Sequence, residues 1–287
     1  MDGSTNILVS AIVVLGGLGL LFGVVLAVAA RFFQVAVDER VEKITAALPG
    51  ANCGGCGLPG CAGYADAIVN QGMALNLCAP GGATSAQKIG AIMGVAVTAG
   101  VRKFPAVHCQ GAQAVRAFAY DGIATCGAAV LVQGGFKVCT WACLGLGDCG
   151  RVCPTGAIKT ATGIAAVDET RCISCGKCAA ACPRSLIVMR PIDRPVHVRC
   201  SNRWKGREAK TGCPMACIAC RKCEKTCAFD AIHVVDNLAI VDYAKCTSCA
   251  KCVEACPQKC IVNMALERAA RAEAQTEPKK ETESVVV

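Results

Sequence analysis

Cysteine dominates the chemistry open to this chain. It supplies 25 of 287 residues, and the residues recur at the spacing of metal ligands. Two runs, Cys172-x2-Cys175-x2-Cys178-x3-Cys182-Pro183 and Cys246-x2-Cys249-x2-Cys252-x3-Cys256-Pro257, have the pattern by which bacterial ferredoxins hold [4Fe–4S] clusters. In that pattern three cysteines bind one cluster and the fourth ligates its neighbour. A separate group, Cys53, Cys56, Cys61 and Cys78, lies in a glycine-rich stretch that begins Asn52-Cys53-Gly54-Gly55-Cys56-Gly57-Leu58-Pro59-Gly60-Cys61. Zinc also uses short cysteine spacings, but its sites are usually built from two close pairs, and this group is three plus one. The ligand spacing, in a chain far longer than a disulfide-stapled module, points to clusters rather than disulfides, and thiolates that bind iron need a reducing compartment, which places the cysteines in the cytoplasm.

An internal repeat organises most of these ligands. A shift of 74 residues carries Cys126, Cys139, Cys143, Cys149 and Cys153 onto Cys200, Cys213, Cys217, Cys223 and Cys227. The same shift carries Cys172, Cys175, Cys178 and Cys182 onto Cys246, Cys249, Cys252 and Cys256. Two tandem copies of one module follow. The expected ligand sets are Cys53, Cys56, Cys61 and Cys78 for a first cluster and Cys139, Cys143, Cys149 and Cys182 for a second. Cys153, Cys172, Cys175 and Cys178 make the third. Cys217, Cys220, Cys223 and Cys256 make the fourth, with Cys213 as the alternative to Cys220. Cys227, Cys246, Cys249 and Cys252 make the fifth. In the first copy Leu146 stands at the position of Cys220, so the pattern is incomplete there. Cys109, Cys126, Cys200 and Cys213 are left over and form a candidate sixth set. Cys260 maps onto Leu186, an apolar slot, and reads as a buried thiol.

The elements that must position these ligands are small. Ile232–Val235 and Leu238–Val241 flank the turn pair Asp236-Asn237, and Ala157-Ile158 and Ile164–Val167 do the same in the first copy. Ala62–Met73 reads as a helix between the third and fourth ligands of the first cluster, and Val35–Leu48 as a short amphipathic helix. Ahead of them, Ile7–Ala30 is 24 residues without a charge, long enough to span a bilayer as a helix. A cleaved signal peptide is disfavoured, because the residues before the segment include no Lys or Arg, only Asp2. Arg31, Arg40 and Lys43 follow it, which places the C-terminal side in the cytoplasm and the N-terminus outside the cell membrane. Gly16, Gly17, Gly19 and Gly23 lie in this span, and the spacing of Gly19 and Gly23 permits docking against another membrane helix.

The fold class is therefore α+β: a single N-terminal transmembrane helix, a small four-cysteine Fe–S domain and two tandem 2[4Fe–4S] bacterial-ferredoxin-like modules. The expected divisions are an anchor over 1–30, a linker over 31–50, the single-cluster domain over 51–108, modules over 109–190 and 191–264, and a charged, disordered tail over 265–287. The formal charge of +9 does not indicate nucleic acid. Each oxidised cluster with four thiolates carries about −2, so five of them bring the holo-protein to about −1. Aromatic residues are 4% of the chain, too few for base stacking. His108, His197 and His233 are isolated and read as structural, whereas Trp141 and Trp204 are expected to pack around clusters. The sequence offers no Ser-His-Asp arrangement, no phosphate-cradling loop and no dinucleotide fingerprint.

The membrane helix, the Cys53–Cys78 group and the ferredoxin modules together resemble the B subunit of the Rnf electron-transport complex, in a long form with two modules. The resemblance covers nearly the whole chain. It implies a component of an Na⁺- or H⁺-translocating ferredoxin:NAD⁺ oxidoreductase with no stand-alone active site. Its implied partners are soluble ferredoxin and the membrane-embedded and flavin-bearing subunits of that complex. Because the Cys53–Cys78 cluster is nearest the membrane segment in sequence, the ferredoxin modules are expected to receive electrons and that cluster to deliver them. The other reading weighed is a polyferredoxin subunit of another membrane redox complex, such as a hydrogenase.

Overall fold

The computed structural model describes residues 3–32, 38–98 and 100–267. Val35 and Val37 of the expected linker helix, and the tail from Arg268, lie outside them. Helix α1 (Gly3–Phe32) contains the uncharged segment. Over Ser10–Phe32 its mean hydropathy is 2.7 and none of it is buried within the chain, so it is long and apolar enough to cross a membrane.

Three helices make the next folded unit: α2 (Glu39–Ala47), α3 (Gly60–Gln71) and α4 (Gly82–Met93). Asp38 caps α2 by accepting from the Arg40 N–H at 2.8 Å, and Glu39 and Glu42 in the first turn favour the helix dipole. Ile44, Ile68 and Ile89, at most 1% exposed, meet between the three helices with Tyr64. Each such side chain contributes about 1.5–3 kcal/mol on burial. The half-buried Cys56, Cys61 and Cys78 pack on this same cluster, so the helices act as the backing of a cysteine-lined site.

The rest of the described chain is built from paired short strands and short helices. The elements run β1 (Lys103–Val107), α5 (Cys126–Leu131), α6 (Asp148–Arg151), β2 (Ile158–Lys159), β3 (Ala166–Val167), α7 (Lys177–Ala181) and β4 (Ile187–Pro191). They continue with β5 (Val196–Val198), α8 (Gly206–Gly212), α9 (Lys222–Thr226), β6 (Ile232–Val235), β7 (Leu238–Val241), α10 (Lys251–Glu254) and β8 (Ile261–Asn263). All four pairings are antiparallel: β1 with β4, β2 with β3, β5 with β8 and β6 with β7. Each module thus has an inner hairpin and an outer pair that joins its beginning to its end. The Asp236-Asn237 turn has both residues at positive φ, as a two-residue hairpin requires. Because Lys103 pairs with Pro191, residues 103–107 pack with the first module rather than with the helical unit. The two modules share one continuous core, in which Leu186, Ile187, Val196, Ile232 and Ile261 are buried among the cysteines.

Candidate metal centres

The ligand loops of the modules adopt one backbone conformation. In Cys172–Cys178, Ser174 and Gly176 have positive φ. Ser248 and Ala250 do so in Cys246–Cys252, and Ala219 and Arg221 in Cys217–Cys223. The left-handed residues turn successive cysteines toward a common centre. In Cys143–Cys149 the same two places are filled by Gly145 and Gly147, at φ 73° and 87°. That loop therefore has a ligand-loop backbone but carries Leu146 at its middle position.

Four of the expected sets lie together in the structure. Cys78 interacts electrostatically with Cys53, Cys56 and Cys61, and Cys172 with Cys153 and Cys175, Cys178 joining them. Cys227, Cys246, Cys249 and Cys252 line one cavity with Phe229 and Ile232. Cys217, Cys220, Cys223 and Cys256 line another, which Cys260 also reaches. Cys220, not Cys213, stands at this fourth site.

At the remaining two sites the structure exchanges a pair of cysteines relative to the sequence reading. Cys139 lines a cavity with Cys109, Cys200 and Cys213. Cys126 faces Cys143, Cys149 and Cys182 instead. The cause is local. Thr125 caps α5, and the Asp148 carboxylate accepts from the Cys126 and Gly127 N–H groups, both at 2.9 Å. This ties the start of α5 beside Cys149 and puts the Cys126 thiol where Leu146 supplies none. Cys109 and Cys200 are then equivalent: the Sγ of Cys109 accepts from Gly111 N and Cys143 N at 3.4 and 3.3 Å. The Sγ of Cys200 accepts from Asn202 N and Cys217 N at the same distances. The fixed 74-residue shift conceals this equivalence, because Cys109 and Cys139 are 30 residues apart and Cys200 and Cys213 only 13. Cys126 lies in the longer stretch.

The donor chemistry fits iron–sulfur clusters. Sulfur atoms accept backbone N–H bonds at 3.3–3.4 Å from Ala157 to Cys153, Ser174 to Cys172, Leu186 to Cys182, Ala231 to Cys227 and Ser248 to Cys246. Such bonds stabilise negative sulfur and tune a cluster's potential. Among the described residues no group of His, Cys, Asp or Glu is gathered for a single metal ion; the thiols stand around cavities. Burial, followed by facing thiols, raises Cys149 and Cys223 to about 12 and Cys178 and Cys252 to about 11. Thiolates at such depth need the positive charge of a metal core. Lys137 brings its own positive charge: it is 5% exposed, and its Nζ donates to the Gly111 and Gly163 carbonyls beside Cys109, Cys143 and Cys213.

Trp141 lines the cavity of Cys109, Cys139, Cys200 and Cys213, and Trp204 meets it edge-on with ring centroids 5.5 Å apart. No histidine lines the three cysteine cavities. His108 and His197 face one another at 6.1 Å, and His233 lies against Glu224 and Asp230.

Comparisons with known proteins fall on the same stretches. The FeS family, an Fe-S cluster domain, matches residues 48–80, and the 4Fe-4S binding domain family matches residues 165–188 and 239–262. The chain is 42% identical over 260 residues to the B subunit of the ion-translocating oxidoreductase complex of Methanosarcina acetivorans, covering 90% of this chain and 98% of that one. It is 45% identical over 259 residues to the B subunit of the Na(+)-translocating ferredoxin:NAD(+) oxidoreductase complex of Acetobacterium woodii, covering 89% and 78%. To the B subunit of the proton-translocating ferredoxin:NAD(+) oxidoreductase complex of Clostridium ljungdahlii it is 38% identical over 258 residues, covering 88% and 91%. Similarity on this scale, spanning the helical unit and both modules, makes the chain a member of the family of Rnf B subunits, the iron–sulfur electron-transfer components of ion-translocating ferredoxin:NAD⁺ oxidoreductase complexes.

Proposed function

We propose that the chain holds six [4Fe–4S] clusters in one file and connects soluble ferredoxin at one end to membrane partners at the other. The proposed ligand sets are Cys53, Cys56, Cys61 and Cys78 (site 1) and Cys126, Cys143, Cys149 and Cys182 (site 2). Site 3 is Cys153, Cys172, Cys175 and Cys178, and site 4 is Cys217, Cys220, Cys223 and Cys256. Site 5 is Cys227, Cys246, Cys249 and Cys252, and site 6 is Cys109, Cys139, Cys200 and Cys213. A [4Fe–4S] cluster takes up and releases one electron at a potential set by its surroundings.

The observation that carries this reading is how site 6 joins the modules. Cys217 of site 4 donates its N–H to Cys200 of site 6. On the other side, Cys143 of site 2 donates its N–H to Cys109 of site 6. Within each module the paired sites share short helices: α6 carries Cys149 and is followed closely by Cys153, and α10 carries Cys252 and is followed closely by Cys256. The first module meets the helical unit where Gly55 lies against Cys175. The resulting order is 5, 4, 6, 2, 3, 1. Site 5 lies at the far end with its exposed Cys249, and site 1 lies in the unit that follows the anchor in sequence.

Ferredoxin as donor, and the other subunits as acceptors, come from the names of the relatives. The membrane arrangement rests on α1 and on Arg31, Arg40 and Lys43, which favour a single pass with the N-terminus outside and the cysteine units in the cytoplasm. Iron and acid-labile sulfide in the anaerobically purified full chain test the number: about 24 of each per chain supports six sites, whereas about 20 removes site 6. Cys56→Ala tests the order. Reduction of the other clusters by ferredoxin should survive while transfer to the membrane subunits stops; loss of the first reverses the order.

A further inference from the structure

Site 4 has one sulfur more than a four-iron cluster takes. Five cysteines line its cavity: Cys217, Cys220, Cys223, Cys256 and Cys260. The repeat identifies the surplus one. Cys217, Cys220 and Cys223 sit on a loop with the same left-handed positions as the loops of sites 3 and 5, and Cys256 corresponds to Cys182. Cys260 corresponds to Leu186. Both side chains are buried, at 1% and 2% exposed, and both follow a ligand cysteine by four residues. At Leu186 only the backbone N–H approaches the sulfur, 3.4 Å from Cys182 Sγ. At Cys260 the side chain itself approaches, its Sγ 3.6 Å from Cys256 Sγ, with Cys217, a ligand of the same site, also facing it.

Between two free thiols either could donate. A ligand thiolate has no proton to give, so with a cluster in place the hydrogen bond can run in one direction only, from the Cys260 S–H to the Cys256 sulfur. A hydrogen bond to a ligand sulfur draws electron density from the cluster and favours its reduced, more negative form. The effect is confined to the second module, because the leucine side chain in the first has no proton to offer.

The geometry points to Cys260 as a positioning residue of site 4: its buried thiol donates to Cys256 and raises the reduction potential of that cluster above the value a leucine would give. This rests on the reading that Cys217, Cys220, Cys223 and Cys256 hold a cluster. It goes further in giving the spare cysteine a role and in making the corresponding inner sites of the two modules unequal. The thiol makes site 4 more readily reduced than a leucine there would, and the site lies one step in from the exposed end of the file.

The test is a redox titration of the anaerobic full chain, followed by electron paramagnetic resonance, with iron counted in the same samples. Cys260→Leu should keep the iron of the parent chain and move one cluster to lower potential. Cys260→Ser, which retains a donor, should not produce that fall. Leu186→Cys, introducing the thiol in the first module, should move a different cluster to higher potential. Full iron with unchanged potentials in Cys260→Leu and Leu186→Cys overturns the proposal. So does the loss of about four iron atoms in Cys260→Leu, which would make Cys260 a ligand. Cys223→Ala combined with Cys256→Ala should cost about four iron atoms, and if that chain keeps the full iron and sulfide of the parent, the underlying reading is overturned instead.

Discussion

Gly55 and Cys175 meet backbone to backbone: a Cβ placed on Gly55 would lie 2.5 Å from the Cys175 carbonyl oxygen. The neighbour is main chain of a ligand loop and cannot swing aside, so only glycine permits this approach. The contact joins the loop of site 1 to the loop of site 3. Arg102 secures the same junction, donating from Nε to Ser174 Oγ at 3.1 Å and from a terminal nitrogen to the Cys172 carbonyl at 2.9 Å.

Gly55→Ala is therefore expected to separate the helical unit from the first module without removing a ligand. Iron content should match that of the parent chain, while electron exchange between site 1 and the remaining clusters slows. Rapid-mixing reduction followed by freeze-quench spectroscopy reads both. An unchanged rate with full iron would show that the close approach does not limit transfer.

The site 2 ligand set makes a second prediction. Cys126→Ala should disrupt the cluster between Cys143, Cys149 and Cys182, whereas Cys139→Ala should disrupt the one between Cys109, Cys200 and Cys213. Either loss removes up to about four iron atoms per chain, so the count alone does not separate them. The pairing does: Cys126→Ala combined with Cys182→Ala should cost no more iron than one cluster, and Cys139→Ala combined with Cys182→Ala should cost two. Asp148→Ala should weaken the hold on Cys126 by freeing the α5 N–H groups, at about 0.5–2 kcal/mol as for other helix-start contacts.

This exchange marks where the sequence stops being legible. Ligand loops with regular spacing, such as Cys172–Cys182 and Cys246–Cys256, declare their clusters because loop geometry and ligand order are both local. The Ile232–Val241 hairpin is legible for the same reason, its turn pair and strand alternation lying within ten residues. Cys126 and Cys139 are different. Each reaches its partners through tertiary contacts, Cys126 by way of Asp148 and Cys139 across the boundary between modules. A fixed repeat offset pairs Cys126 with Cys200, although the structural equivalent of Cys200 is Cys109. The signal that was available is the Gly145-Leu146-Gly147 segment. It keeps a ligand-loop backbone while lacking the middle cysteine, and so calls for a thiol from elsewhere. The placement of residues 103–107 was hidden likewise, since β1 finds its partner β4 80 to 88 residues later.

Lys137 should tune the neighbouring clusters. Its ammonium is buried beside Cys109, Cys143 and Cys213, and burial lowers its pKa while these thiols raise it. Held as a cation by thiolate-bound clusters, it favours their reduced states. Lys137→Met should lower the potential of one or both of sites 6 and 2 and leave site 5 unchanged. The variant should also lose about 1–3 kcal/mol of stability, because the Gly111 and Gly163 carbonyls lose their donor. Redox titration and chemical unfolding check the two effects separately.

The buried histidine of β5 predicts an acid sensitivity at the centre of the modules. His197 is 1% exposed and its pKa is pushed down to about 3, first by burial and then by the positive charge of Arg190 and the facing His108. In the unfolded chain it titrates near the ordinary histidine value of about 6.5. Between these values the unfolded state binds more protons than the folded one, so stability is fully present above about pH 6.5 and falls as the pH drops through the window toward 3. Across pH 7 to 5 the slope should be about one proton at its steepest. His197→Phe, which keeps a ring of similar breadth and cannot be protonated, should reduce that slope relative to the parent chain measured alongside it. Thermal unfolding of the anaerobic chain at stepped pH supplies the comparison, and equal slopes in the two proteins would assign the acid sensitivity to groups other than His197.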